Sequence, residues 1–374
     1  MKKPPLIAIS MGDPAGVGPE VIIKALEDGA LRRTARWVIF GSSGVLSNAA
    51  AACHVPATWT ELPHHFSSST LTALSASEVG LVDLCHEAGL GTSTSFPRRA
   101  DANNGTLSFT CVQRAIELAR LPHDHPWHAA AVVTGPIHKQ GWSLAGLAKY
   151  PGHTELFAEA FGASKFAMMF HAPPTAERTS ARSRPGPIAS TAGLNVILAT
   201  VHQPLRAVPD ALTTERVLNT IQLGTDAMQR LGHAAPRIGV CGLNPHAGEH
   251  GLLGREDDAI IAPAVAAARA LGIDASGPWP ADTIFQNALS YEHAPASRFD
   301  LVVAMYHDQG LIPIKTLAWD RAVNFTVGLT HAGRAVHRTS PDHGTAFDIA
   351  GTGKADEGSM KAALMLAVRL ALSG

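Results

Sequence analysis

The chain has 374 residues, 46% hydrophobic and 16% charged, and its 30 basic and 31 acidic side chains leave a formal charge of -1. That length allows two domains, or one large domain with a subdomain, around substantial cores. The balanced charge offers no basic block for nucleic acid or an anionic membrane, and no apolar run of 18 residues is present to span a bilayer.

In chain order, PLIAIS reads as a buried strand, MGDPAGVGP as a loop and PEVIIKALEDGAL as a helix, with Pro19 in its first turn and Glu20 complementing its N-terminus. RWVIFGSS is a second apolar strand, and strand–loop–helix–strand opens an α/β sheet. Residues 57–100 are irregular apart from a strand at VGLVDL, and helix resumes over Thr106–Leu121. AAVVTGP is a buried strand, Thr154–Phe161 a helix after the GHTE turn, and the stretch between Phe170 and Leu194 an exposed loop. Then follow the strand LNVILATVH, the helix TTERVLNTIQLGTDAMQRLG and the strand–loop PRIGVCGLNPHAG. After them come a helix DDAIIAPAVAAARALG stopped by Gly272, the strand–loop FDLVVAMYHDQG, a strand AVNFTVGL and the terminal helix SMKAALMLAVRLALSG. TGPIHK, VHQ, NPHAGE and YHDQG all follow apolar strands, and α/β sheets bind ligands at such C-terminal strand ends.

Cys53, Cys85, Cys111 and Cys241 show no CxxC or other metal-like spacing, and Leu6–Ser10 is too short for a signal h-region. A reducing, cytoplasmic setting is expected.

Among 19 histidines, His202, His246 and His307 stand at strand ends. Each alone is more often structural, and none lies in an HExxH pattern, so their common placement carries the argument. Three imidazoles suit a borderline divalent ion with open positions for a substrate hydroxyl and carboxylate. Lys139, Lys315 and Arg338 are cations able to balance a phosphate or carboxylate, set against the reading as solvated surface charges. His153 and Thr154 stand at a helix start, where backbone N–H groups bind phosphate or the side chains simply cap. Asp282 and Asp308 are candidates for acid–base work or for orienting a metal-bound histidine. Asp308 directly follows His307 and would point away from it in an extended segment, so Asp282 is preferred. MGDPAGVGPE is neither GxGxxG nor GxxxxGKS/T and is no Rossmann or P-loop fingerprint.

These segments resemble the 4-hydroxythreonine-4-phosphate dehydrogenase family of the vitamin B6 pathway. The matching stretches are GDPAGVGPE at 12–20, TGPIHK at 134–139, YPGHTE at 150–155, CGLNPHAGE at 241–249, GPWPADTIF at 277–285, MYHDQGLIPIK at 305–315, VNFTVGL at 323–329 and RTSPDHGTAFDIAGTGKAD at 338–356. The resemblance implies an α/β, isocitrate/isopropylmalate dehydrogenase-like fold of two domains, with parallel or mixed sheets flanked by helices and a cleft between them. Residues 1–130 plus 285–374 are expected to form the dinucleotide-binding domain, and 131–284 the metal, substrate and dimerisation domain.

The resemblance also implies a homodimer with shared active sites. It assigns His202, His246 and His307 to one divalent metal (zinc, magnesium or cobalt), and His153, Thr154, Lys315, Asn324 and Arg338 to substrate. Lys315 and Asp282 are the expected catalytic groups. HGTAFDIAGTGKA is similar to the adenosine-binding loop of the wider dehydrogenase superfamily, which puts His343, Gly344, Ala346, Asp348 and Ile349 on NAD, with NADP as the alternative. The implied reaction is NAD-dependent oxidation of 4-phosphooxy-L-threonine at the 3-hydroxyl, followed by decarboxylation. Relatives in the family act on 4-phospho-threonate or phospho-erythronate, or on cis-dihydrodiol dicarboxylates. Two stretches are longer than the family's usual connections: 171–192, expected as a surface loop, and GLTHAGRAVHRTS, which adds His331, Arg334 and His337 before Arg338 and is expected near the substrate phosphate.

Overall fold

A computed structural model describes residues 4–64, 74, 78–174, 193–289 and 297–373. The chain builds a 12-stranded sheet whose spatial order is β3 (Thr60–Glu61), β4 (Val79–Asp83), β2 (Arg36–Gly41), β1 (Leu6–Ser10), β5 (Ala131–Thr134), β14 (Arg338–Pro341), β11 (Val323–Val327), β6 (Ala167–Ala172), β7 (Leu194–Leu198), β10 (Leu301–Ala304), β8 (Ile238–Cys241) and β9 (Ala275–Trp279). The remaining strands, β12 (Thr330–His331) and β13 (Arg334–Ala335), form a separate hairpin. The first six strands of the sheet are mutually parallel. Three antiparallel pairings, β14 with β11, β11 with β6 and β6 with β7, then reverse the direction, so β7, β10, β8 and β9 run opposite to the first six.

The strands read as continuous apolar runs because both sheet faces are covered. β1, β2, β5, β7, β8 and β10 are buried along their whole length. Helix Ala102–Arg120 packs on β1, β2 and β5, and helix Gly358–Leu372 on β5, β14 and β11. Asp101, Thr213 and Ser42 cap the helices Ala102–Arg120, Thr214–Arg230 and Ser43–Cys53 by accepting backbone N–H bonds. In the second half of the sheet, alternate residues divide between two cores. Met169, Ile197 and Val303 join the large one, whereas Met168, Phe170, Val196, Leu198 and Val302 face a smaller one closed by Leu311, Ile314 and Leu317. That is the period-2 pattern of a strand buried on both sides.

The expected mixed α/β architecture is what the chain forms. Its strand pairing crosses the expected domain edges: β5 hydrogen-bonds between β1 and β14, and β10 between β7 and β8. The chain also contains helices that periodicity did not mark, at Ser43–Cys53, Lys139–Leu144 and His307–Ala318. Helix Ala102–Arg120 begins before the expected Thr106, because Asp101 caps it. Most of the long connection expected between Phe170 and Leu194 lies outside the described residues. None of the four cysteines is in a disulfide. No helix among the described residues is long and apolar enough to cross a membrane.

Candidate active site

The end of β5 approaches the end of β1 so closely that neither turn tolerates a side chain. A Cβ on Gly12, at φ 82°, would strike the Pro136 carbonyl, and one on Gly135 the Met11 carbonyl. This packing fixes Thr134, whose Oγ1 accepts from Arg338 Nε at 3.1 Å and NH2 at 2.6 Å. Arg338 is 3% exposed. Burial lowers its pKa to about 9 and nearby Glu155 opposes the shift, so the guanidinium is charged at neutral pH. It forms no ion pair among the described residues.

Beyond β5 the chain passes through helices Lys139–Leu144 and His153–Ala160. Thr154 is buried, and the His153 ring packs edge-on to Trp142 at 5.5 Å. His153 Nε2 is buried without a partner, and burial first, then Arg338 and Lys139, hold the imidazole neutral. A cavity of about 450 Å³ opens beside Thr154 and Glu155 and runs past Leu198 and Val201 to Arg216. A larger one, about 640 Å³, lies between Lys165, Gln229 and Asp274 and includes none of the expected site residues.

His202, His307 and His246 follow β7, β10 and β8, which are neighbours in the sheet, so the three leave one edge. The His202 and His307 rings lie 5.5 Å apart. Burial lowers the His202 pKa, and Lys139 and His307 lower it further. Thr200 and Gln309 tie these strand ends together. Thr200 Oγ1 donates to Met305 O at 2.7 Å, while Gln309 accepts from Met305 N at 2.6 Å and donates to Gly242 O at 2.8 Å.

The expectation that Asp308 points away from His307 is corrected here. His307 opens a helix rather than an extended segment, and that bend brings Asp308 Oδ1 to 2.6 Å from His307 Nδ1. Asp308 is therefore the carboxylate that orients His307. Asp282 is exposed in a turn and makes no side-chain hydrogen bond or ion pair among the described residues.

His246 stands apart and exposed. It lies in a run from His246 to His250 in which every residue has positive φ, a conformation that disfavours side chains. Asp257, fully buried, supports the run by accepting from Leu243 N at 2.8 Å and from Asn244 N at 3.1 Å. Among the described residues no group of three His, Cys, Asp or Glu side chains is placed to hold a metal.

Lys315 Nζ reaches Asp342 O at 3.1 Å and Asp342 Oδ2 at 3.2 Å. Asn324 sits in β11 opposite Ser340, with Oδ1 buried and unpartnered. In the following loop, burial lowers the His343 pKa and its Nε2 has no partner. Gly344 and Asp348 are exposed, Ala346 has φ 43°, and Ile349 packs against the core. Phe347 stacks on His138 at 5.3 Å. The inserted hairpin docks elsewhere: His331 Nε2 meets Arg120 O at 3.0 Å and its ring packs on Phe161. Arg338 is gripped by Thr134 and not by any inserted residue.

Thr134, Thr200, Gln309, Asp257 and Glu155 escaped the sequence reading. Their contacts are long-range or depend on loop geometry, although Thr134 in TGPIHK, Glu155 in GHTE and Gln309 in YHDQG lie inside motifs singled out at strand ends or helix starts.

Comparison with known proteins adds the family. A family model described as pyridoxal phosphate biosynthetic protein PdxA matches residues 33–367. A 4-hydroxythreonine-4-phosphate dehydrogenase from Trichlorobacter lovleyi is 39% identical over 368 residues, 98% of each chain. A D-threonate 4-phosphate dehydrogenase from Salmonella typhimurium is also 39% identical, over 365 residues and 98% of each chain. The crystal structure of 4-hydroxythreonine-4-phosphate dehydrogenase from Klebsiella pneumoniae superposes with a TM-score of 0.75 at 38% identity, covering 99% of both chains. The chain thus belongs to the pyridoxal phosphate biosynthetic protein PdxA family and is a dehydrogenase of that family.

Proposed function

We propose that this enzyme oxidises the 3-hydroxyl of 4-phosphooxy-L-threonine with NAD, and that the product, 2-amino-3-oxo-4-phosphooxybutanoate, loses carbon dioxide to give 3-amino-2-oxopropyl phosphate in pyridoxal 5'-phosphate biosynthesis. The observation that carries this reading is Arg338, a buried guanidinium bonded to the Thr134 hydroxyl and in no ion pair among the described residues. A buried cation without a counter-ion is costly, and an arriving phosphate relieves that cost through a forked, charge-assisted contact. His153 Nε2 and the Asn324 side chain, both buried with an unpartnered atom, and Thr154 complete the anion's surroundings.

His202 and His307 fit a divalent ion as two imidazole donors, with Asp308 fixing the His307 tautomer so that Nε2 faces outward. Imidazole suits zinc or cobalt better than magnesium. His246 is assigned as the third donor, supplied by a second copy in a homodimer. When bound, the ion supplies Lewis acidity for the alcohol and for the carbonyl that follows. Lys315, held by Asp342, is assigned the proton of the hydroxyl. Asp282 faces solvent in its own chain and is assigned acid–base work only in a site that the second copy completes. His343 Nε2, the open space at Gly344 and the exposed Asp348 carboxylate fit a dinucleotide, with NADP as the alternative cofactor. Cysteines outside any disulfide support a reducing, cytoplasmic setting.

The D-threonate 4-phosphate dehydrogenase, equal in identity, favours a second reading in which the substrate carries a hydroxyl where 4-phosphooxy-threonine carries its amine. NADH formation by metal-loaded enzyme, with 4-phosphooxy-L-threonine, 4-phospho-D-threonate and a cis-dihydrodiol dicarboxylate side by side and a chelated control, separates these. Preference for the first substrate, lost on chelation, is expected. Preference for either competitor moves the enzyme to a catabolic role.

A further inference from the structure

Helix Gly18–Leu26 presents Glu20 and Lys24 one turn apart, on one face. Both reach across to the segment that follows the candidate cofactor loop. Glu20, 1% exposed, accepts from the Gly351 backbone N–H. Lys24 Nζ donates to Gly353 O at 3.1 Å and to Ala355 O, and lies 3.6 Å from Glu357 Oε2. Just ahead of the helix, Val17 N donates to Thr345 O at 2.9 Å, and a Cβ on Gly16 would meet Thr345 at 3.0 Å. Residues 16–24 therefore grip positions 345, 351, 353 and 355. The other Glu20 oxygen, Oε2, is buried without a partner, and Glu20 lines a cavity of about 220 Å³ with Gly16, Asn48, Arg98 and Gly351.

We infer that Glu20 and Lys24 are positioning residues for the dinucleotide: they hold the 343–357 loop in the shape that receives it. This rests on the cofactor reading above. The helix does not need the two charges for its own packing, because Val21, Ile22, Ala25 and Leu26 already anchor it in the core. Buried charges of this kind add little stability over apolar replacements, so their use on the backbone of an irregular loop points to shape. The glycine-rich GDPAGVGPE segment, which lacks a phosphate-binding fingerprint, thereby acquires a role as the loop's clamp.

The test compares Lys24→Met and Lys24→Arg with wild type in the full-length, metal-loaded enzyme. NADH affinity is read by fluorescence, inorganic phosphate affinity by calorimetry, the apparent KM for each substrate by turnover, and folding by thermal melting. Lys24→Met is expected to weaken NADH binding and raise the KM for NAD about tenfold. Phosphate affinity and the KM for the phosphorylated substrate should hold, and Lys24→Arg should recover most of the loss. Unchanged NADH affinity in Lys24→Met overturns the inference. So does a loss shared equally by NADH and phosphate, which marks a general structural role. If wild type binds phosphate but no dinucleotide, the cofactor reading itself falls, and the inference with it.

Discussion

The surroundings of Arg338 and the corner formed by His202 and His307 differ in how enclosed they are. Arg338 is buried and forked onto Thr134, and its charge reaches the buried imidazole of His153. The histidine corner is more open: His307 keeps 38% of its side chain exposed, and His246 stands apart on a left-handed loop. Among the described residues, two imidazoles meet there without a third. On the function proposed above, Arg338 anchors the phosphate end, and the histidine corner at the reacting end is completed by a second subunit.

The sharpest way to break this contrast is at Arg338. Arg338→Met is expected to lower kcat/KM at least about a thousandfold, because the phosphate loses its forked partner. The same variant should melt no lower than wild type, since an apolar side chain replaces an unpaired buried charge. A drop in melting temperature with only a modest kinetic loss would make Arg338 a structural residue.

On the histidine side, Asp308→Asn is expected to weaken zinc binding about tenfold to a hundredfold, read by competition with a colorimetric chelator. Phosphate affinity in that variant should not change. The support beneath His246 is tested by Asp257→Ala, which leaves the Leu243 and Asn244 N–H groups without their acceptor. That change should cost about 2–4 kcal/mol in urea unfolding.

Much of this contrast was legible in the sequence, and some was not. The strands were readable because runs such as LNVIL and LVVA are buried on both faces and need no period. The strand-end position of the three histidines followed from those runs. The helix at His307–Ala318 was not, because Pro313 and Gly310 interrupt its pattern, and missing it hid the contact between Asp308 and His307. Thr134 and Gln309 lie inside the motifs TGPIHK and YHDQG, but no local pattern gives their contacts. Their partners are Arg338 and Gly242, which only the folded sheet brings near.

A separate effect is expected at Asp13, next to the Gly12 turn that packs on Pro136. Burial pushes its carboxyl up to about 6 from 3.8, against hydrogen bonds from Ala15 and Asn104. The folded state thus keeps a proton that the unfolded chain releases near pH 4, and stability falls as pH rises from about 4 to above 6. Asp13→Asn removes that dependence. It should gain up to about 3 kcal/mol over wild type at pH 8 and nothing at pH 3, measured by denaturant melts across pH.

The claim that a second chain completes the active site has a direct test in mixed dimers. His246→Ala and His307→Ala enzymes, each inactive alone, are mixed, allowed to exchange subunits and reloaded with zinc. If His246 acts across the interface, every mixed dimer regains one intact site, so a randomly exchanged sample should recover about a quarter of wild-type activity. If all three histidines act within one chain, mixing recovers nothing, and the shared-site account is wrong.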